Sequence, residues 1–287
     1  MKKRGLIAAV LTVVFAGAAL SGCGQDGAKK GKINTAYYMN GEVWPDIWKE
    51  INGYFDETVP REATVTVNGN HYTGIYSKTV RGGLSTPDTR HYYNGDGFHF
   101  SLRDGNGKCD YFDQDALKTE LCTFDAKEGR KRADAFAEDY LSLQEYEVTE
   151  GVNTFTHTHS YTYIRYIEDI ATSDQFTVRL NCDGSFEGFI CMDLGAFQNV
   201  KHVEIDEEKI KAAINKLAKN NCEEIGREFS RCEIGKPLYL VKTAANQCAL
   251  LYVVGHYYKT ATGEEMHSGR FEVLVIVDYE KYDWFKP

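Results

Sequence analysis

The chain has 287 residues, 43% of them hydrophobic and 26% charged, with a formal net charge of −9. That is enough apolar material for real cores and excludes a disordered coat. An acidic chain also lacks the basic face that a phosphate backbone requires, so no nucleic-acid partner is expected.

The first element is Lys2, Lys3 and Arg4, an apolar run from Leu6 to Leu20, and the small residues Ser21 and Gly22. A positive start, a short apolar core and small residues before a cut point make a secretory signal. The run is shorter than the ~20 residues a spanning helix needs. Leu20-Ser21-Gly22-Cys23 resembles the lipobox of bacterial lipoproteins. The resemblance implies cleavage after Gly22 and lipidation of Cys23, which becomes the first residue of the mature chain. The protein is then held on the extracytoplasmic face of the cell membrane. A single acyl chain binds only marginally, so stable anchoring needs two or more. Losing residues 1–22 removes three positive charges and takes the net charge from −9 to −12.

Residues 23–42 read as a flexible tether, with Gly24, Gly27, Gly31 and three lysines but almost no aliphatic side chains. An N-terminal unit follows over 43–122. Trp44, Ile47, Trp48, Ile51 and Phe55 recur at helical spacing, which predicts a helix over 43–57 with Pro45 in its first turn. Ala63–Val67 and Tyr72–Val80 predict two strands joined by a tight Asn68-Gly69 turn. Arg90–Tyr93, Gly97–Leu102 and Lys108–Phe112 predict three more, with Asn94-Gly95 and Asp104-Gly105-Asn106-Gly107 as their turns.

Residues 123–202 form the next unit. Asp125 caps a helix expected over 126–143, with Glu128 at the capping-box position and Ala133, Phe136, Ala137 and Tyr140 on its apolar stripe. A long strand is expected over 154–167 and another over 175–181. Cys182-Asp183-Gly184 fits a three-residue hairpin loop, which pairs Leu180 with Phe186, Val178 with Gly188 and Phe176 with Ile190. That register keeps Cys182 and Cys191 roughly 20 Å apart, beyond disulfide reach.

The pattern then repeats over 203–287. Asp206 caps a helix expected to reach Lys219, Ile205 staples to Ile210, and strands are expected over 238–242, 248–258 and 271–279. Phe124-Asp125 and Ile205-Asp206 hold equivalent places 81 residues apart. The expected fold class is therefore α+β, with tandem units of one helix packed on an antiparallel β-sheet. Such a repeat on an exported lipoprotein resembles the PepSY-like modules, and Val275-Ile276-Val277-Asp278 resembles that family's last strand. The resemblance implies binding or inhibition of a protein or peptide at the cell surface, and not catalysis.

Seven cysteines remain beside Cys23: Cys109, Cys122, Cys182, Cys191, Cys222, Cys232 and Cys248. An odd number leaves at least one thiol free or shared between chains, and no pair has the CxxC spacing of a redox or zinc motif. His157-Thr158-His159 is the metal-like feature, because residues two apart on a strand share a face. Glu168, Asp169 or His202 would have to add a third ligand, and the alternative function is a metal-dependent hydrolase using His157 and His159. Solvated or tyrosine-packed histidines are the preferred reading, so no cofactor and no catalytic residue is expected. Asp104, Asn106 and Asp110 fail the calcium-loop pattern and read as a turn. Asp113 with Asp115, and Glu168 with Asp169, read as solvated carboxylates. Tyr161, Tyr163, Tyr166, Tyr252, Tyr257 and Tyr258 read as cross-strand packing in preference to a binding platform.

Overall fold

The computed structural model describes residues 34–38, 53–80, 89–114, 125–153, 157–203, 205–224, 226–242 and 248–276. Its strands are β1 (Asn34–Tyr38), β2 (Glu62–Val67), β3 (Asn70–Val80), β4 (Arg90–Gly95), β5 (Phe98–Arg103), β6 (Cys109–Gln114), β7 (Glu147–Val152) and β8 (His159–Ile167). They continue as β9 (Ile170–Leu180), β10 (Phe186–Met192), β11 (Glu228–Ile234), β12 (Tyr239–Lys242), β13 (Cys248–Lys259) and β14 (Glu265–Ile276). The helices are α1 (Ala126–Ala137) and α2 (Glu207–Glu224), with a single 3-10 turn at Leu143–Glu145.

All of these strands belong to one sheet, in the order β1-β14-β13-β12-β9-β10-β6-β5-β4-β3-β2, with β11 beside β13 and β7 reached through β8 from β9. The expectation of tandem units, each a helix on its own sheet, is overturned. The molecule is mostly β, its strands form one large mixed sheet, and the described residues hold only two helices. Two pairings cause the merger. Tyr111, Phe112 and Asp113 of β6 pair with Ile190, Phe189 and Gly188 of β10, which joins the N-terminal strands to the middle of the chain. Leu240 of β12 then bridges Thr172 of β9 in parallel, joining the C-terminal strands to the same sheet. Pairing strands across the expected unit boundaries satisfies backbone groups that separate sheets would have left as open edges.

Local chemistry sets most of the elements. Asn68 and Gly69 take φ of 49° and 76°, the left-handed pair that a two-residue hairpin needs, and Val67 pairs with Asn70. The Asn94-Gly95 turn is displaced to Asp96-Gly97, since Gly95 stays in β4 opposite Phe98. The Phe98 ring fills the space a Cβ at Gly95 would need. The β9–β10 hairpin keeps Leu180 opposite Phe186, but a bulge at Glu187 then shifts the register, setting Phe189 against Val178 and Cys191 against Phe176. The bulge turns Phe189 inward, where it is fully buried, and leaves Ile190 on the other face.

Helix α1 starts as expected, with the Lys127 amide donating to Asp125 Oδ1 at 2.9 Å. It stops at Ala137, well before Leu143. No basic residue sits in its last turn and Glu138 and Asp139 follow, an unfavourable charge for a helix C-terminus. Tyr140 folds back onto Phe176, with ring centroids 4.8 Å apart. Helix α2 runs past Lys219 to Glu224, started by the Lys209 amide on Asp206 Oδ1. The helix expected over 43–57 lies outside the described residues up to residue 52. Beyond that, Tyr54 forms a β-bridge to Thr79 instead. Asn34–Tyr38, counted in the tether, pairs with β14 as β1.

Two cores result. Ala133, Phe136 and Ala137 of α1 pack with Phe176, Val178 and Phe189 on a floor that extends through Phe112, Phe100 and Tyr93. Ile210, Ile214 and Ala218 of α2 pack with Leu250, Tyr252, Val254, Val273 and Val275. Each fully buried phenylalanine contributes about 2–3 kcal/mol relative to an exposed one. Strand β13 lies between β14 on one side and β11 and β12 on the other, and is buried along most of its length, as its apolar sequence implies.

Candidate functional site

The register of the central strands sorts their side chains into two faces. Tyr93, Phe100, Phe112, Phe189, Val178 and Tyr161 stand in one cross-strand row from β4 to β8, all almost completely buried in the core that α1 shares. The next row, on the opposite face, reads Tyr92, Ser101, Tyr111, Ile190, Thr177 and Thr162. Beside it run Asn94, His99, Asp113, Gly188 and Arg179. A polar, ionisable face therefore backs an aromatic core.

Two clusters occupy that face. In the first, buried Asp110 accepts Arg90 Nε at 2.7 Å and Ser101 Oγ at 2.6 Å, and Arg103 Nε stands 3.5 Å away. A bulge between Ser101 and Leu102 in the β5–β6 pairing brings Asp110 to this side. Burial works against the Arg90 charge, but Asp110 and Tyr92 outweigh it and hold the guanidinium pKa above its usual value. Nearby, Ser173 Oγ donates to Asp193 Oδ2 at 2.6 Å.

In the second cluster, Arg179 Nη2 donates to Asp113 Oδ1 at 2.7 Å and Tyr111 Oη donates to Asp113 Oδ2 at 3.2 Å. His99 Nε2 lies 2.7 Å from the same phenol oxygen. Either group can be the donor in that contact, according to the imidazole tautomer. Burial, then the Asp113 charge, raises the Tyr111 pKa. These groups are tied into one hydrogen-bonded network across three strands.

The thiols are unsuited to nucleophilic work. Burial pushes Cys109, Cys191 and Cys232 up to about 12 and raises Cys222 and Cys248 as well, so the thiolate is scarce at neutral pH. Cys109, Cys191, Cys222, Cys232 and Cys248 are free, and Cys182 is disulfide-bonded.

The structure separates the residues of the metal-like feature. His157 takes φ 55° in the loop before β8, and His159 opens that strand, so the two do not share a strand face. Glu168 and Asp169 form the β8–β9 turn at the far end of β8 from His159, about 30 Å along the strand at ~3.3 Å per residue. Glu168 pairs with His202 at 2.6 Å and Asp169 with Lys236 at 3.3 Å. Among the described residues no group of three or more His, Cys, Asp or Glu is placed to hold a metal ion. Asp104 and Asn106 accept the Gly105 and Lys108 amides, the turn chemistry expected of them. Asp113 is paired with Arg179 instead of being solvated, and Asp115, Gly22 and Cys23 lie outside the described residues.

Tyr161, Tyr163 and Tyr252 are buried in the cores. Tyr257 and Tyr258 instead carry the guanidinium groups of Arg231 and Arg227, 3.8 and 4.3 Å from their ring centroids. The polar face was missed as a unit, though its signal is in the sequence. His99, Ser101 and Arg103 alternate with Phe98, Phe100 and Leu102, and Tyr111 and Asp113 flank Phe112.

No family model and no curated protein matches the chain. Among solved structures it is similar to the Bacillus megaterium YpeB C-terminal domain, at 15% identity and a TM-score of 0.32 over 70% of this chain and 88% of that one. That likeness is too low to transfer a fold or a function.

Proposed function

We propose that this chain is a lipid-anchored protein of the extracytoplasmic face of a bacterial cell membrane, acting as a non-enzymatic module that binds a protein or peptide partner. One observation carries the reading: the Leu20-Ser21-Gly22-Cys23 sequence, set behind a basic start and a short apolar run. The described fold suits such a role. Asp110 and Asp113 on its polar face are paired with Arg90 and Arg179, and burial raises the pKa of its free thiols.

The test is metabolic labelling with an alkyne fatty acid and detergent-phase partitioning, comparing wild type with Cys23→Ala. Label and detergent partitioning should both be lost in the variant. A variant that keeps its label refutes the anchor. The binding half is tested on the purified full-length protein. Turnover of a peptide or cell-wall substrate, abolished by changing a single nucleophile, refutes it.

A further inference from the structure

We propose that the open edge of β2 takes up an extended segment of a partner protein as an added antiparallel or parallel strand. This rests on the interaction-module reading and names its site. The tight hairpin fixes which backbone groups are available. Val67 pairs with Asn70 across the two-residue turn, so Val67, Val65 and Ala63 direct their amides and carbonyls at β3. Glu62, Thr64 and Thr66 therefore direct theirs away from the sheet, and all three residues are exposed. Among the described residues β2 pairs with β3 alone.

This edge carries fewer of the devices that usually protect one, with Glu62 its single charged residue. Its pairing with β3 has no bulge, and its sequence Glu-Ala-Thr-Val-Thr-Val has no proline or lysine. The edge strand β11 is bulged between Phe229 and Arg231 and carries Glu228, Arg231 and Glu233. The edge strand β7 carries two glutamates and Gly151.

The size of the edge selects the occupant. A second copy docking here would engage three outward residues on each side, far short of the ~1,000 Å² that a stable association of two folded chains needs. A single extended segment needs only the ladder itself. Its side chains would alternate. One set lies beside Ala63, Val65 and Val67 at the rim of the aromatic core, and the other beside Thr64 and Thr66. Exposed Glu57 and Glu62 outnumber exposed Arg61 at one end and favour a cationic residue there. Placement agrees with the anchor. Ten residues lie between Cys23 and Asn34, eleven steps with a reach of at most about 40 Å, so a lipid on Cys23 would keep the start of β1 within that distance of the membrane. Strand β2 is at the opposite end of the sheet path from β1.

The probe is a displayed random dodecapeptide library panned on full-length protein in detergent. The key variant is Thr64→Pro, which deletes an outward amide and leaves the β2–β3 ladder intact. Thr66→Pro does the same one step along, and far-UV circular dichroism checks the fold of each. Enriched peptides should alternate apolar and polar residues and carry a lysine or arginine. They should bind at least tenfold more weakly to either proline variant and slow amide exchange at Thr64 and Thr66 in the wild type. Peptides that bind a folded proline variant as tightly as wild type, or the absence of any period-two enrichment, overturn the proposal. Photo-crosslinking in intact cells separates the two readings. A partner captured equally by wild type and Thr64→Pro overturns the β2 edge while supporting an interaction module.

Discussion

Arg179 on β9 reaches Asp113 on β6 across the intervening strand β10, with Nη2 2.7 Å from Oδ1. The residue between them in the row is Gly188, and its missing side chain opens the path. A Cβ there would strike the Phe112 carbonyl oxygen and lie 3.1 Å from both Arg179 Nη2 and Asp113 Cα. One small residue thus allows a charge pair to tie three strands together on the face behind the aromatic core.

Gly188→Ala should therefore destabilise the protein by about 2–4 kcal/mol. Overpacking costs typically 1–3 kcal/mol, and the displaced Arg179–Asp113 contact adds to it. Gly255→Ala is the control. Its nearest neighbour would be His267 Nε2 at 3.5 Å, an ordinary contact, and its expected effect is within about 0.5 kcal/mol. Urea titrations of both variants check the contrast. Equal midpoints would remove the steric account of Gly188.

How much of this was legible in the sequence follows from the range of each signal. The β2–β3 hairpin and the Asp125 and Asp206 caps are set by neighbours a few residues apart, and each is found. The Glu187 bulge was not legible, since it depends on Phe189 fitting between Val178 and Phe112 from other strands. Strands β7 and β11 escaped notice because they are edges. Their polar residues Glu147, Glu150, Glu228 and Glu233 face solvent and blur the period-two pattern. The tandem-unit expectation failed for a similar reason. Helix, cap and staple recur locally, but whether strands pair within a unit or across its boundary is decided by contacts such as Leu240 with Thr172. The charged face combines both cases, with an alternation visible in Phe98–Arg103 and partners, Arg179 above all, that only the fold brings near.

Arg165 and Asp174 make a second prediction. Arg165 Nε donates to Asp174 Oδ2 at 2.9 Å, and Tyr146 Oη donates to Asp174 Oδ1 at 2.8 Å, with the carboxylate fully buried. Burial raises the Asp174 pKa despite hydrogen bonds from the Gly195 amide and from Tyr146 and the charge of Arg165. A carboxyl raised above its unfolded value contributes most stability below that value and loses it as pH rises through the folded pKa. Asp174→Ala should cost about 3–5 kcal/mol at neutral pH, because it leaves a largely buried guanidinium with the half-exposed Glu145 carboxylate and neutral Tyr146 as its described partners. Arg165→Met with Asp174→Leu should recover most of the loss, since apolar groups of similar size need no partner. Denaturation midpoints across this cycle measure it, and a double variant no better than Asp174→Ala would show that the pair does more than satisfy itself.

The cysteines give the last prediction, and it bears on the anchor as well as the fold. Cys248 and Cys222 are fully buried, and Cys109, Cys191 and Cys232 are pushed up to about 12 by burial. All five are free, so a chromogenic disulfide reagent should react slowly with the native protein at pH 8 and label all five rapidly in guanidinium. Raising the pH to 9 should accelerate the native reaction of Cys109, Cys191 and Cys232 little, because burial pushes these thiols up to about 12. Cys182 is disulfide-bonded, and every other described cysteine is free, which leaves Cys23 and Cys122 as the cysteines outside the described residues. A lipid on Cys23 consumes that thiol in a thioether and requires Cys122 to be the partner. A non-reducing peptide map should then recover Cys182 linked to Cys122. Recovery of Cys182 linked to Cys23 would rule out lipidation of that chain, and with it the membrane-anchored orientation of the sheet.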